Sequence, residues 1–244
     1  MLTKPFSIKA SLKEGWHLVR GTKLAILMTI LPMSFVALIA FITISGIEPQ
    51  SSKNSADSLF FSLLLPFIDT LVISGFIAGI MMIGLKRARN QALRYSDGLK
   101  YFNKLPKLAI IGYLETLLIL LISSTVLIGM AYLMAKLGMP KEADSIITLF
   151  VLLIAVFGLK TLLIFSFQLA LDKGFSIFSA IAGSIKIVRH HYGKILAIFI
   201  ILIMANFLGA CLAGIGLLWT IPFTTNTLGV VYRQLFDISP MSDF

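Results

Sequence analysis

The sequence predicts an all-α fold: a polytopic bundle of six transmembrane helices with amphipathic helices on the cytoplasmic side. Three observations predict it. Of 244 residues, 58% are hydrophobic and only 13% are charged. A soluble domain is about a quarter charged, so this chain has too little polar surface to coat a soluble globule. Its charge-poor stretches are also long. Residues 24–47 and 195–232 carry no charge, 58–85 carry only Asp69, 108–135 only Glu115, and 145–171 only Lys160. Finally, seventeen of the twenty-one Lys and Arg residues fall in alternate gaps between these stretches. That sorting is what the positive-inside rule produces in a multi-pass membrane protein.

A spanning helix needs about 20 residues. The first four stretches are therefore one span each, at about 24–47, 59–85, 108–135 and 146–171. The first is too long for a signal-peptide core of about 7–15 residues, so it reads as a span rather than a cleaved leader. Residues 195–232 as one helix would reach about 57 Å, against a hydrocarbon core of about 30 Å. Gly214-Ile-Gly216 lies at the midpoint, and glycine permits the tight reversal of a hairpin. Two spans follow, 195–213 and 217–235. The alternative is one span and a re-entrant tail broken at Pro222 and residues 224–227. Six spans place both termini in the cytoplasm.

The basic segments have structure of their own. In residues 6–20, Ile8, Leu12, Trp16 and Val19 form a helical apolar stripe flanked by Lys9, Lys13 and Arg20. This describes an interfacial helix with basic side chains reaching the headgroups. Residues 175–192 repeat the design through Phe175, Phe178, Ile181, Ile185 and Val188; residues 93–105 do so through Tyr95, Leu99 and Phe102. Each segment leads into a similar word: Lys23-Leu-Ala-Ile-Leu27, Lys107-Leu-Ala-Ile-Ile111 and Lys194-Ile-Leu-Ala-Ile198. The chain thus reads as three units, each an interfacial helix followed by a two-span hairpin. The competing reading is that any basic-to-apolar boundary looks alike.

The net charge of +10 fits anchoring against an anionic cytoplasmic leaflet. No aromatic-basic motif for nucleic acid accompanies it. A single cysteine, Cys211, excludes an intramolecular disulfide. His190 and His191 are adjacent rather than three or four apart, so they do not share a helix face as metal ligands would.

Intramembrane charges are costly and mark functional candidates. They are Asp69, Glu115 and Lys160. Glu115 and Lys160 lie at comparable depth on consecutive antiparallel spans, which predicts an ion pair. It serves either as a relay or, as the simpler reading, as a tie within the bundle; Asp69 is the alternative partner. Gly75, Gly79 and Gly84 form a small-residue face on span 2, and Ala210 and Gly214 another. Such faces let helices approach closely; a homo-oligomer or membrane-protein partner contact is their other use. Thr220, Thr224, Thr225 and Asn226 make span 6 the most polar. They line a cavity if there is one, though hydrogen bonds between helices are the commoner use. Trp219 and Tyr232 stand near opposite ends of that span, where interfacial anchors belong.

There is no phosphate loop, HExxH, GxSxG or dinucleotide fingerprint. The pieces outside the spans are too short for a catalytic domain. Neither enzyme activity nor a cofactor is expected.

Residues 75–89, Gly-Phe-Ile-Ala-Gly-Ile-Met-Met-Ile-Gly-Leu-Lys-Arg-Ala-Arg, are followed by Ser96-Asp-Gly-Leu-Lys-Tyr-Phe102. Together they resemble a group of uncharacterised bacterial inner-membrane proteins. The C-terminal Gly214-Ile-Gly-Leu-Leu-Trp-Thr-Ile-Pro222 and Tyr232-Arg233 are similar to that group's final motif. Related sequences occur as the membrane domain attached to some glycerophosphodiester phosphodiesterases. The resemblance implies a multi-helix inner-membrane protein and brings no catalytic residues. The expected role is structural, in assembly or in envelope maintenance; the alternative is a small transporter or channel.

Overall fold

The computed structural model describes residues 7–47, 55–138 and 141–237; the first residue of the 6–20 segment and the side chain of Asp69 lie outside the described set. Among the described residues all regular structure is helical. The α-helices are α1 (Ile8–His17), α2 (Lys23–Ile47), α3 (Ser55–Ala88), α4 (Leu105–Leu137), α5 (Lys141–Leu163), α6 (Ser166–Asp172), α7 (Ile177–Val188), α8 (Tyr192–Cys211) and α9 (Leu217–Phe236). By length and composition, three stretches are apolar enough to cross a membrane: Tyr95–Leu137, Ser145–Asp172 and Ile177–Cys211. A fourth, Ile8–Gly21 with Lys23–Val36, qualifies as a pair bent by 77°.

Local chemistry sets the boundaries. Ser7 and Ser176 cap α1 and α7, their hydroxyls accepting the N–H groups of Ala10 and Ser179. Side-chain acceptors satisfy the otherwise orphaned amides of a first turn. Gly138, at φ 65°, closes α4; the left-handed backbone it supplies is the usual stop of a helix. The reversal expected at residues 214–216 is present between α8 and α9, with Gly214 at φ 76°. Asn206 Nδ2 donates to Thr224 Oγ1 at 2.7 Å across this hairpin.

Helix α9 is more polar than those stretches, and its surroundings are largely protein. Nearly all of its residues from Pro222 to Phe236 are buried. It crosses α3 at Gly84 and Gly229, where a Cβ on Gly84 would collide with the Thr225 carbonyl and one on Gly229 with the Gly84 carbonyl. Backbones approach this closely only where side chains are absent.

The three expected units interlock in a ring. Gly15 of α1 meets Thr227 of α9, nine residues before that helix ends. Gly98 of the second unit lies against Gly79 of α3, nine residues before α3 ends. In the third unit, Ser184 of α7 seals the break between α5 and α6. Its hydroxyl donates to the Leu162 carbonyl at 2.7 Å and accepts the Phe165 N–H at 3.3 Å. Each basic segment thus packs on the last helix of the preceding unit, the first on the third. The helix ends project beyond this collar by about 13 Å at helical rise.

Some expectations are corrected. Residues 93–105 form two 3-10 turns, Tyr95–Gly98 and Lys100–Lys104, instead of an amphipathic α-helix. Asp97 pins the first turn by accepting the Arg94 N–H at 2.9 Å and Lys86 Nζ at 2.8 Å. Gly98 is wedged between Gly79 and Thr29, which leaves no room for a side chain. On α1 the face against the bundle is Ser11 and Gly15, continued by Val19 in the 3-10 turn that follows, while Trp16 is exposed. Close approach to α9 selects small residues there, and the tryptophan meets Phe223 edge-on at 5.5 Å.

Candidate functional site

The three projecting helix ends meet in one ion-paired junction. Arg89 follows α3, Asp172 ends α6 and Asp237 follows α9. The Arg89 guanidinium grips Asp172 through Nη1 at 2.5 Å and Nη2 at 2.8 Å. It grips Asp237 through Nε at 2.8 Å and Nη2 at 2.6 Å. Lys173 Nζ reaches Asp237 at 3.3 Å, and Tyr232 Oη donates to Asp172 at 3.0 Å. Tyr232 stacks on Phe236 and Phe165 meets both edge-on, with ring centroids 4.5–5.8 Å apart. The planar fork of arginine suits two carboxylates at once, which a lysine cannot match.

Electrostatics follow the geometry. Hydrogen bonds that it donates to Asp172 and then to Asp237 hold the Arg89 guanidinium well above its ordinary range, against the opposing effect of burial. Burial pushes the Asp237 carboxyl up, but Arg89 and Lys173 outweigh it and leave it below the usual carboxylate range. Asp97 behaves alike: burial raises it, and the Arg94 N–H and Lys86 more than reverse that. On the same end, Arg233 binds Glu14 at 2.8 Å and donates to the Ala88 carbonyl. The acids Glu14, Asp97, Asp172 and Asp237 are all ion-paired. The junction balances two cations with two anions and offers no free base or nucleophile; its geometry is that of a tie.

The second charged locus is intramembrane in the sequence reading. Lys160 Nζ lies 3.4 Å from Glu115 Oε2, with the Lys160 side chain 44% exposed and that of Glu115 5% exposed. The structure therefore brings these two residues together. Glu115 Oε1 is buried without a hydrogen-bond partner. Asp69 falls on α3, with its side chain outside the described set. Because the acid is the buried member, losing Lys160 harms more than losing Glu115. Lys160→Met is expected to lower membrane accumulation, and adding Glu115→Gln to restore part of it, since an unpaired buried charge is what costs most. Quantitative immunoblots of membrane fractions check this; no restoration by the double variant contradicts the pairing.

The polar residues of α9 are dispersed instead of lining one cavity. Thr224 pairs with Asn206, and Thr225 donates to its own Pro222 carbonyl at 3.1 Å. Asn226 Nδ2 donates to Thr22 Oγ1 at 3.0 Å, and Thr22 donates on to the Leu18 carbonyl at 2.8 Å. Thr220 Oγ1 is buried and unpartnered. Of the small residues singled out, Gly75, Gly79 and Gly84 lie at close approaches. Ala210 is exposed, and Gly214 serves the turn with nothing near it; the close contact of that hairpin falls on Gly209 against Gly216. Trp219 is not set apart at a far interface. Lys23 Nζ, on the first residue of α2, lies 4.0 Å from its ring centroid, so the first turns of α9 rest against the first turns of α2.

The junction residues Arg89, Asp172, Lys173 and Asp237 were not singled out from sequence. Their one shared signal is position: each stands at or just past the end of a unit's final helix. No group of three His, Cys, Asp or Glu side chains among the described residues is arranged to hold a metal. Comparison with protein-family models, curated proteins and solved structures finds no match.

Proposed function

We infer that this chain is a six-span protein of the bacterial inner membrane with a structural, assembly or envelope-associated role and no catalytic activity. The resemblance of residues 75–102 and 214–233 to uncharacterised inner-membrane proteins is consistent with that placement. The observation that carries the role is the junction. Its charges pair with one another and tie three helix ends together, where a transport pathway would present charges to a water-filled route. In this reading α9 is an interior span, shielded from lipid by α1, α2, α3 and α8. The basic segments grip the anionic cytoplasmic leaflet.

A second reading, a small transporter or channel, draws on different atoms. Glu115 Oε1, Gln168 Oε1 and Thr227 Oγ1 are buried without partners. Unpaired buried polar atoms call for an explanation, of which an unseen ion or water is one. The double variant Glu115→Gln with Lys160→Met separates the two. In a deletion strain, the structural reading expects it to restore envelope integrity as wild type does, once matched for abundance. Failure at equal abundance would favour the relay. A reporter fused at the C-terminus tests the topology: activity on the cytoplasmic side is expected, and periplasmic activity would contradict six spans.

A further inference from the structure

We propose that the groove between α2 and α9 is a binding site for one anionic phospholipid, with an acyl chain in the groove and the phosphate at Lys23. The proposal rests on the membrane reading and names a ligand for it. The groove holds about 320 Å³ and is lined by Leu24, Leu27 and Ile30 of α2 and by Leu218, Trp219 and Ile221 of α9. Its walls are almost wholly apolar apart from Lys23 at the mouth.

The mouth is cationic and lacks a counter-charge. Lys23 lies over the Trp219 ring and has no ion pair with any acid among the described residues; nor has Arg87. The Arg87 guanidinium lies against Gly21, two residues before Lys23, and its Nε is buried without an acceptor. By contrast, Lys86, Arg89, Lys173 and Arg233 each hold a carboxylate. A tryptophan face holds an ammonium in place without accepting its hydrogen bonds, so the three N–H donors of Lys23 remain for an anion. Such a mouth opening onto an apolar groove fits a molecule with an anionic head and a hydrocarbon tail. A free phosphate would satisfy the mouth and leave the groove unused.

Native mass spectrometry of the purified full chain provides the test, with phosphatidylglycerol and phosphatidylcholine of identical chains supplied in equal amounts. Wild type is expected to retain one phosphatidylglycerol in preference. Lys23→Gln should cut that preference about fivefold, the factor that one cation against anionic lipid supplies. Leu218→Trp, at a half-exposed position that tolerates bulk, should reduce retention of both lipids by filling the groove. Equal retention of the two lipids by wild type overturns the site, as does an unchanged preference in Lys23→Gln. Displacement by glycerol phosphate at the concentration that displaces intact lipid also overturns it, because the tail would then contribute nothing. Alkaline extraction of membranes separates the two levels. A chain that resists extraction but shows no preference loses the site and keeps the membrane reading; a chain released by extraction loses both.

Discussion

Gly84→Leu is expected to prevent accumulation of folded protein. The position lies where α3 and α9 touch backbone to backbone, and the atoms in the way are the Thr225 carbonyl and the Asn226 nitrogen. A flexible side chain could yield; two helix backbones cannot, because each is fixed by its own hydrogen-bond ladder. Overpacking a tight site costs about 1–3 kcal/mol and sometimes more, and this crossing belongs at the upper end because both neighbours are main chain. Even Gly84→Ala should show the effect. The control is Gly129, on α4, where an added Cβ meets nothing within 4 Å. Gly129→Ala should be neutral, or stabilising by up to about 1 kcal/mol from the lower entropy cost of ordering alanine in a helix. Fluorescence-detected size exclusion of tagged variants in mild detergent reads both. Equal monodisperse yields for Gly84→Ala and Gly129→Ala would contradict the close crossing.

Arg89→Met should lower thermal stability as strongly. Truncation leaves Asp172 and Asp237 facing one another with only Lys173 and Tyr232 for support. Breaking a buried pair by removing one partner costs about 3–5 kcal/mol. The Arg89 side chain is 21% exposed, so the lower end applies. Arg89→Lys keeps the charge but loses the fork and should fall between. Asp172→Asn added to Arg89→Met should recover part of the loss by removing like-charge repulsion. The pH dependence has a defined sign. The Asp237 and Asp97 carboxyls lie below their ordinary range in the folded chain. Their contribution is complete above the unfolded value of about 3.9, and it is lost as pH falls through the folded values. Arg89 stays protonated throughout and adds no pH dependence. Thermal melts should therefore be flat near neutrality and fall below about pH 4, and Asp237→Asn should flatten that fall.

What could be read from the residues divides along physical lines. Apolar runs and charge sorting report the helices, because bilayer solvation acts on each segment alone. The starts of α2, α4 and α8 fall at Lys23 or within two residues of Lys107 and Lys194, and the reversal falls on Gly214 as its backbone freedom requires. Depth counting along two antiparallel helices sufficed to join Glu115 to Lys160. The misreadings concern contacts between segments. Tyr95, Leu99 and Phe102 are spaced alike in a 3-10 turn and an α-turn, so periodicity could not choose; Asp97 and the squeeze on Gly98 did. Gly209 and Gly214 are both small, and which of them meets a neighbour depends on how the hairpin leans. The junction was invisible because Arg89, Asp172 and Asp237 are 83 and 65 positions apart, and each alone resembles any charge beside a span.

The ring of units has a consequence for how the protein is made. Helix α1 is made before α9 yet owes its seat to it: Ser11 pairs with Gln234 across 223 positions, and Glu14 with Arg233 across 219. Until α9 is made, α1 lacks the main surface it packs on. Assembly therefore cannot finish from front to back, as it can in a linear array of hairpins. It closes when α9 packs back on α1, and a chain that stops short of α9 leaves α1 unsettled as well.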